Sequence, residues 1–426
     1  MPAPLPRWTA LLRLYGFGAD LLAGRAWARV DARLGAQGVA EARRRERRGE
    51  PTRARPPGRL VWFHAASVGE SLSVLPLVRL VAREAAVLVT TGTATSAEVL
   101  ARRLPPGAMH QFAPLDSSGA VGRFLDHWRP DLAVVVESEI WPQTLRMTAA
   151  RGVPLVLMNA RLSERTLTRW ARAPRSARAV LGLFDRIVTQ TEATREALVA
   201  LGADPARTVV GGNMKASAGA PPGNPAEQMR LAAVLGNAPV WAAVSTHPGE
   251  EEAALAAHAL LRARHPDARL ILVPRHPERG DEVAALTDRQ GMGWTRRSAG
   301  GRPTEPVYLA DTLGETGLWF RLAPLAFLGG SFVPVGGHNP WEAAHCGAAL
   351  LMGPLRETVK GDVAALETAG AARTVRDAEE LGAVASELLA KPMELAAMRE
   401  AGLALASAQV GRSEAFARDL LELLPA

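Results

Sequence analysis

The chain is poor in several residue types and patterns that would make its function easy to read. It holds one cysteine, Cys346, so no internal disulfide can form; a stapled miniprotein is excluded and a reducing compartment fits. Lysine is nearly absent, at Lys215, Lys360 and Lys391 only, a compositional bias in which little chemistry is read. Aromatic residues make up 5% of the chain, and no uninterrupted run reaches the ~20 apolar residues that span a bilayer. There is no G-x-x-x-x-G-K-[ST] loop and no G-x-G-x-x-G after a first strand, which speaks against a P-loop ATPase and an ordinary dinucleotide dehydrogenase. Neither a cysteine cluster nor H-E-x-x-H occurs, so no zinc site is expected.

What is present is 426 residues, 48% hydrophobic and 22% charged, enough for two or three domains with proper cores. The net charge of +7 is unevenly placed. Residues 1–60 carry thirteen arginines against five acids, a net +8, which leaves −1 for the rest. A nucleic-acid-binding enzyme spreads basic residues over its body, so no nucleic acid partner is expected. In the leader, Trp8, Leu11, Leu12, Tyr15, Ala19, Leu22 and Ala26 recur with helical spacing among arginines, as in a helix lying in a membrane interface. The run Arg43-Arg44-Arg45-Glu46-Arg47-Arg48 would then sit near anionic headgroups. A helix packed on its own domain, followed by a solvated basic loop, accounts for the same residues. On the membrane reading, deleting residues 1–50 weakens membrane binding and leaves the fold intact.

After Pro56-Pro57-Gly58, β-rich runs alternate with helical patterns: 60–66, 86–91, 132–137, 154–159, 186–190 and 208–211. A second series, 240–245, 269–274, 307–310, 325–329 and 349–352, follows the linker-like stretch 220–225. Helices are expected over 72–84, 193–201, 250–264 and 341–345 among others. The fold class is therefore α/β, two Rossmann-like domains facing across a cleft, over 57–219 and 220–426 behind a basic leader over 1–56. The last helix is expected to pack back on the first domain. In such sheets ligands bind beyond the carboxyl ends of the strands.

Several motifs stand at those ends. His64-Ala65-Ala66-Ser67-Val68-Gly69-Glu70 places Glu70 at a helix start, where the dipole lowers a carboxylate pKa and keeps it ionised; as a plain first-turn acid it would only stabilise the helix. Glu137-Ser138-Glu139-Ile140-Trp141-Pro142 ends an apolar strand, and strand alternation is expected to let only one of the two glutamates face the site. Asn159-Ala160-Arg161 and Gly211-Gly212-Asn213-Met214-Lys215 are further polar strand ends. In the second half, Ser245-Thr246-His247-Pro248-Gly249-Glu250 reads as a helix cap, Arg275-His276 supplies donors for phosphate or carboxylate, and Asp311-Thr312-Leu313-Gly314-Glu315 follows a strand. The loop Gly329-Gly330-Ser331 to Gly337-His338-Asn339-Pro340-Trp341-Glu342 offers glycines for close backbone approach and a helix start for a phosphate, or is simply a Gly-rich loop with a capped helix.

In order from Phe63 to about Pro354, these segments resemble the Kdo transferases of lipopolysaccharide assembly, which move 3-deoxy-D-manno-octulosonic acid (Kdo) from CMP-Kdo to lipid A precursor. The resemblance implies a GT-B glycosyltransferase fold, with acceptor in the first half and donor in the second. It also implies an amino-terminal membrane-associating helix and a peripheral place on the cytoplasmic side of the inner membrane. The implied reaction is an inverting, metal-independent transfer to lipid IVA that needs no cofactor. Glu70 matches the family's catalytic carboxylate and Glu137 a second acidic position of the active site. Lys215, Arg275, His276, Gly314, Glu315, Gly330, Ser331, Asn339 and Glu342 are then expected on the donor, and Ser67, Gly69 and Arg161 on the acceptor. Three departures stand out: Ala216-Ser217 where the family commonly has Phe-Asp, Trp341 and Ala343 in the donor loop, and Thr316 after Glu315. A GT-B enzyme using a UDP-sugar, and a non-catalytic membrane-recruited protein, are the alternatives.

Overall fold

The computed structural model describes residues 5–425; the first four residues of the leader and the last residue of the second half lie outside it. The chain forms two compact units, one running to Ala218 and taking the chain back from Gly411, the other Gly219–Val410.

The first unit is built on a parallel seven-stranded sheet: β1 Leu60–His64, β2 Ala86–Thr91, β3 Ala108–Phe112, β4 Leu132–Val136, β5 Leu155–Ala160, β6 Arg186–Thr189 and β7 Thr208–Val210, in the order β3-β2-β1-β4-β5-β6-β7. The second unit repeats the plan with β8 Val240–Thr246, β9 Arg269–Pro274, β10 Trp294–Arg296, β11 Val307–Leu309, β12 Leu325–Leu328, β13 Ala349–Met352 and β14 Ala372–Thr374, in the order β10-β11-β9-β8-β12-β13-β14. The central strands are buried along their length, since helices cover both faces, and they read as unbroken apolar runs. The chain direction across each sheet reverses at one point, between β1 and β4 in the first unit and between β8 and β12 in the second. At such a switch point the loops leaving adjacent strands diverge and open a crevice.

Three strands are absent from the sequence reading: β3, β10 and β14. All lie at or near sheet edges, and β10 and β14 have only three residues each. β3 hides its pattern because His110 and Gln111 are buried polar residues with partners: Thr91 Oγ1 and Arg43 reach the His110 ring at 2.9 and 2.7 Å, and Trp128 Nε1 donates to Gln111 at 2.8 Å.

The leader corrects two expectations. Its helix spans Ala10–Ala36, started by Thr9, whose side chain accepts from Leu12 N. Trp8, Leu12 and Leu34 are buried in the first unit, and Tyr15 and Asp20 tie the helix down through Asp116 (2.8 Å) and Ser118 (2.6 Å). The stripe read as one face therefore splits. Trp8 and Leu12 turn inward, while Leu11, Leu14, Phe17, Leu21 and Leu22 are exposed, Phe17 and Leu21 by 68% and 72%. The basic run is not a solvated loop either. Arg43 pairs with Glu46 and His110, Arg44 pairs with Asp31, and Arg47 is half-buried with Nη1 on the Ala113 carbonyl. Glu46, fully buried, accepts from Phe112 N at 2.8 Å. Deleting residues 1–50 would strip these groups from the core, so the leader is not dispensable to the fold.

The helix Pro392–Glu422 ends in the first unit, where Ala417, Leu420 and Leu424 join the core formed by Val61, Phe63 and Val188. Among the described residues no helix is long and apolar enough to cross a membrane.

Candidate active site

At the switch point of the first unit, β1 runs into Ser67, which caps the helix Val68–Val81. Ser67 Oγ accepts from Glu70 N at 3.3 Å and donates to Glu70 Oε1 at 3.1 Å, while Ala66 N donates to Oε2 at 2.7 Å. This reciprocal capping aims the Glu70 carboxylate back at the strand end. Gly69 is exposed beside it.

Two more carboxylates come from the loop after β4. That strand stops at Val136, and Glu137 takes a left-handed backbone, φ +56°, which breaks the alternation expected of it. Both Glu137 and Glu139 lie near enough to Glu70 for their charges to act on it. Asn159, also left-handed (φ +57°) and fully buried, donates to Glu137 Oε1 at 3.2 Å and accepts from Met214 N at 3.0 Å. Asn159 thus ties β5 to both the second carboxylate and the turn that carries Lys215. Strained backbone gathered at one strand edge is a mark of a functional site.

The electrostatics correct a second expectation. Burial, joined by the charge of Glu139 and then of Glu137, pushes the Glu70 carboxyl above its ordinary pKa, against the hydrogen bonds from Ala66 and Ser67. The helix-dipole argument foresaw the opposite; it counted one helix end and could not count the two acids. Glu137 is likewise raised, by burial, against the cations Lys215 and Arg161. Glu139 goes the other way. Burial opposes its ionisation, but His64 at 3.7 Å, the hydrogen bond from Trp141 and the charge of Arg47 outweigh it. A cavity of about 130 Å³ opens beside this group, lined among others by Arg47, Trp62, His64, Glu139, Trp141 and Thr144. Burial holds the Arg47 guanidinium down to about 10, and its Nε is buried without a partner.

In the second unit, Glu250 bridges the switch point. Fully buried, it accepts four backbone N–H groups: His247 (3.0 Å) from the loop after β8, and Gly330 (2.7 Å), Ser331 (2.9 Å) and Phe332 (2.9 Å) from the loop after β12. Gly329 must lack a side chain here, since a Cβ would strike the Ser245 carbonyl and Glu250. Two sequence-based assignments change as a result. Gly330 and Ser331 are buried with their amides on Glu250, and Ser331 Oγ donates to the Leu328 carbonyl (2.6 Å) and accepts from Gly353 N (2.9 Å). These groups hold the Gly-rich loop and are not presented to a ligand. Glu250, read only as a cap residue, is its anchor.

Above that anchor, His247 and His338 stack with ring centroids 5.1 Å apart and Nε2 atoms at 2.8 Å, and His276 approaches His247 edge-on at 5.8 Å. Burial lowers both rings: His338 to about 4, with the charge of His247 adding to it, and His247 against the raising charge of Glu250, with His276 and Arg275 adding to the burial. Arg275, exposed after β9, stands near both. Arg275, His276 and the His338 loop therefore come together. Glu315 does not present itself in the same way. Arg297 grips it at 3.1 and 2.6 Å, and Thr312 donates to it, which holds its pKa below the usual range; Gly314 beside it is exposed. Asn339 accepts from Trp341 N at 3.2 Å and so starts the short helix Trp341–His345, which carries Glu342. Lys215, expected on the donor, lies in the first unit beside Glu137. Among the described residues no cluster of three His, Cys, Asp or Glu side chains has the arrangement of a metal site.

Residues 42–218 match the family model described as 3-deoxy-D-manno-octulosonic-acid transferase (kdotransferase). The chain is 37% identical over 326 residues to the probable mitochondrial 3-deoxy-D-manno-octulosonic acid transferase of Arabidopsis thaliana, covering 72% of each chain. To the 3-deoxy-D-manno-octulosonic acid transferase of Bordetella pertussis it is 36% identical over 379 residues, 84% of this chain and 86% of that one. Among solved structures, UDP-GlcNAc 2-epimerase from Neisseria meningitidis bound to UDP-GlcNAc superposes with a TM-score of 0.57 over 85% of this chain and all of that one, at 14% identity. This last likeness shows the fold alone, a GT-B-like pairing of parallel α/β sheets.

Proposed function

The chain belongs to the 3-deoxy-D-manno-octulosonic acid transferase family of glycosyltransferases, and from that premise we propose that it transfers Kdo from CMP-Kdo to the sugar hydroxyl of a lipid A precursor, lipid IVA. The observation that carries the reading is Glu70: a carboxylate at the first switch point, anchored by Ser67 and Ala66 and pushed toward neutral pH by burial and two neighbouring acids. A base works best when its pKa approaches the working pH.

In the transfer, Glu70 takes the proton of the acceptor hydroxyl as that oxygen forms its bond to the anomeric carbon of Kdo. The bond from that carbon to the CMP phosphate oxygen breaks, and attack from the face opposite the nucleotide inverts the configuration. Arg275 and His276 meet the negative charge that CMP carries away, as fixed donors whose value is greatest where water is excluded. The Gly-rich loop, held by Glu250 and the His247–His338 pair, keeps Asn339 and Glu342 in place for the nucleotide sugar. Ser67, Gly69 and Arg161 line the acceptor side, and Lys215 balances Glu137. No step is assigned to a metal, and full activity in excess chelator is the expected result.

The acceptor lies in a membrane. Leu11, Leu14, Phe17, Leu21 and Leu22, facing solvent on the helix Ala10–Ala36 among Arg13, Arg25 and Arg29, suit it to lie in the cytoplasmic interface of the inner membrane. Replacing Glu70 with alanine tests the mechanism. Loss of transfer by about 10²–10⁴-fold with an unchanged melting temperature is expected, and wild-type turnover sinks the assignment. CMP, and not UDP, should compete with the donor.

A further inference from the structure

The first unit has another cavity, among the residues that enter β6 and β7, whereas Glu70 follows the exit of β1; in a parallel sheet those are opposite edges. It is an open cleft of about 410 Å³ whose charged residues are Arg7, Arg175, Arg178, Arg207 and a single acid, Asp204. Phe184 and Ile187 are buried beneath it and make its floor apolar. Asp204 is already taken: Oδ1 accepts from Ala206 N at 2.9 Å, and Oδ2 lies 3.5 Å from Arg207 Nε. Among the described residues no hydrogen bond or ion pair engages the guanidinium of Arg7, Arg175 or Arg178. The backbone is shaped to keep them together. Arg175, Arg178, Ala179 and Gly182 follow the spacing of one face of the helix Pro174–Leu181, so two like charges are neighbours there and repel. Gly202, at φ +103°, leaves room for the Arg178 stem: a Cβ would come within 2.9 to 3.1 Å of its Cβ, Cγ and Nε. A Cβ on Gly182 would lie 3.4 Å from Pro6 Cγ, and Thr9 Oγ1 is 2.7 Å from Ser176 Oγ, so contacts on either side hold Arg7 at the cleft.

We propose that this cleft binds the phosphomonoester head group of an anionic membrane lipid. A phosphomonoester carries about −1.5 to −2 charges at neutral pH, which suits three unpaired guanidinium groups better than the single charge of a diester. Arginine forks also match phosphate oxygens two at a time, and a monoester leaves three oxygens free to be gripped. The position of the cleft says why the phosphate belongs to a lipid. Arg7 stands four residues before Leu11, the first exposed leucine of the helix Ala10–Ala36, and four residues reach at most about 14 Å. A phosphate held there therefore lies at the head-group level of the layer that Leu11 and Leu14 enter. The cleft is remote from Glu70, so its part is to seat the protein on the bilayer and not to take a share in the transfer.

This rests on the helix Ala10–Ala36 lying in a membrane interface, and the test separates the two claims. Flotation of the full-length protein is measured with phosphatidylcholine vesicles carrying either phosphatidic acid, a monoester, or phosphatidylglycerol, a diester, matched in surface charge. The salt is 0.15 M, where diffuse attraction is screened beyond about 8 Å. Wild type should bind the phosphatidic acid vesicles about tenfold or more tightly than the others. Arg175→Gln with Arg178→Gln should erase that preference, lowering binding to phosphatidic acid by about tenfold to thirtyfold with an unchanged melting temperature, since both side chains are exposed. Arg79→Gln with Arg83→Gln removes the same charge from exposed residues that do not line the cleft, and should keep the preference. Equal binding to both vesicles by wild type, or an equal loss in the two double variants, overturns the proposal and leaves the membrane reading standing. Glycerol 3-phosphate that binds as tightly as the vesicles makes the site one for soluble phosphate and overturns the lipid assignment. Failure of wild type to bind either vesicle overturns the membrane reading and the proposal with it.

Discussion

Removing the Glu250 side chain should loosen the whole donor half of the site from beneath. Four backbone N–H groups converge on this fully buried carboxylate at 2.7 to 3.0 Å, three of them from the loop Gly330–Phe332. A hydrogen bond to a charged group contributes about 1.5–3 kcal/mol, and a buried donor left unpaired costs about 1–3 kcal/mol. The four do not add, because water enters the emptied space, so the net loss for Glu250→Ala is about 3–5 kcal/mol, the range for stripping one partner from a buried charged group. For a unit of this size each kcal/mol lowers the melting temperature by about 2–4 °C, which gives a fall of roughly 6–20 °C. Glu250→Gln should recover less than half of that, since one carbonyl oxygen still serves two amides but the new NH₂ meets the other two donors head-on. The control is Glu252→Ala, which removes an exposed carboxylate bonded to Gly249 N and should cost about 1 kcal/mol or less. Differential scanning calorimetry reads the stability and titration of CMP reads the loop. If Glu250→Ala melts within about 2 °C of wild type and binds CMP equally, the anchor reasoning is wrong.

Three more expectations follow from the same structure. The rate of transfer should fall on the acid side at a pH above that of an ordinary glutamate, because the Glu70 carboxyl is raised and must lose its proton to act; a limb at or below the usual glutamate range contradicts the electrostatics. His258 is held neutral, accepting from Trp241 Nε1 and bonded to the Pro306 carbonyl, with burial holding it down to about 3. The unfolded chain takes up that proton below about pH 6.5 and the folded one does not until about 3, so the stability it supplies is lost as pH falls through that window. Between pH 7 and 5 wild type should lose about 2 kcal/mol more than His258→Gln, measured by urea unfolding. Replacing Leu14, Phe17 and Leu21 by serine should cut binding to anionic vesicles by about two orders of magnitude without moving the melting temperature, since all three side chains already face solvent.

The central strands were legible because burial on both faces leaves unbroken apolar runs, and strand ends where polar residues suddenly appear located Glu70, Glu137 and Asn159 in the chain. The edge strands β3, β10 and β14 were not, being short or carrying His110 and Gln111, whose partners come from distant segments. Periodicity showed the helix Ala10–Ala36 as apolar but could not show which apolar residues meet a partner, so Leu11 and Leu12 were placed together and the structure parts them. Glu250 looked like any first-turn acid; its role depends on amides eighty residues away that only the fold brings near. The direction of the Glu70 shift was misread for the same reason, since two of its causes, Glu139 and Glu137, lie across the switch point.

The most direct test of the account supplies purified wild-type protein with labelled CMP-Kdo, generated in situ because the donor is labile, and with a lipid A precursor in mixed micelles. The prediction is label in the glycolipid, release of one CMP per Kdo transferred, and no such product from Glu70→Ala. Protein that is folded and binds CMP but leaves the glycolipid unlabelled, or that labels it only from a UDP-sugar, contradicts the central claim.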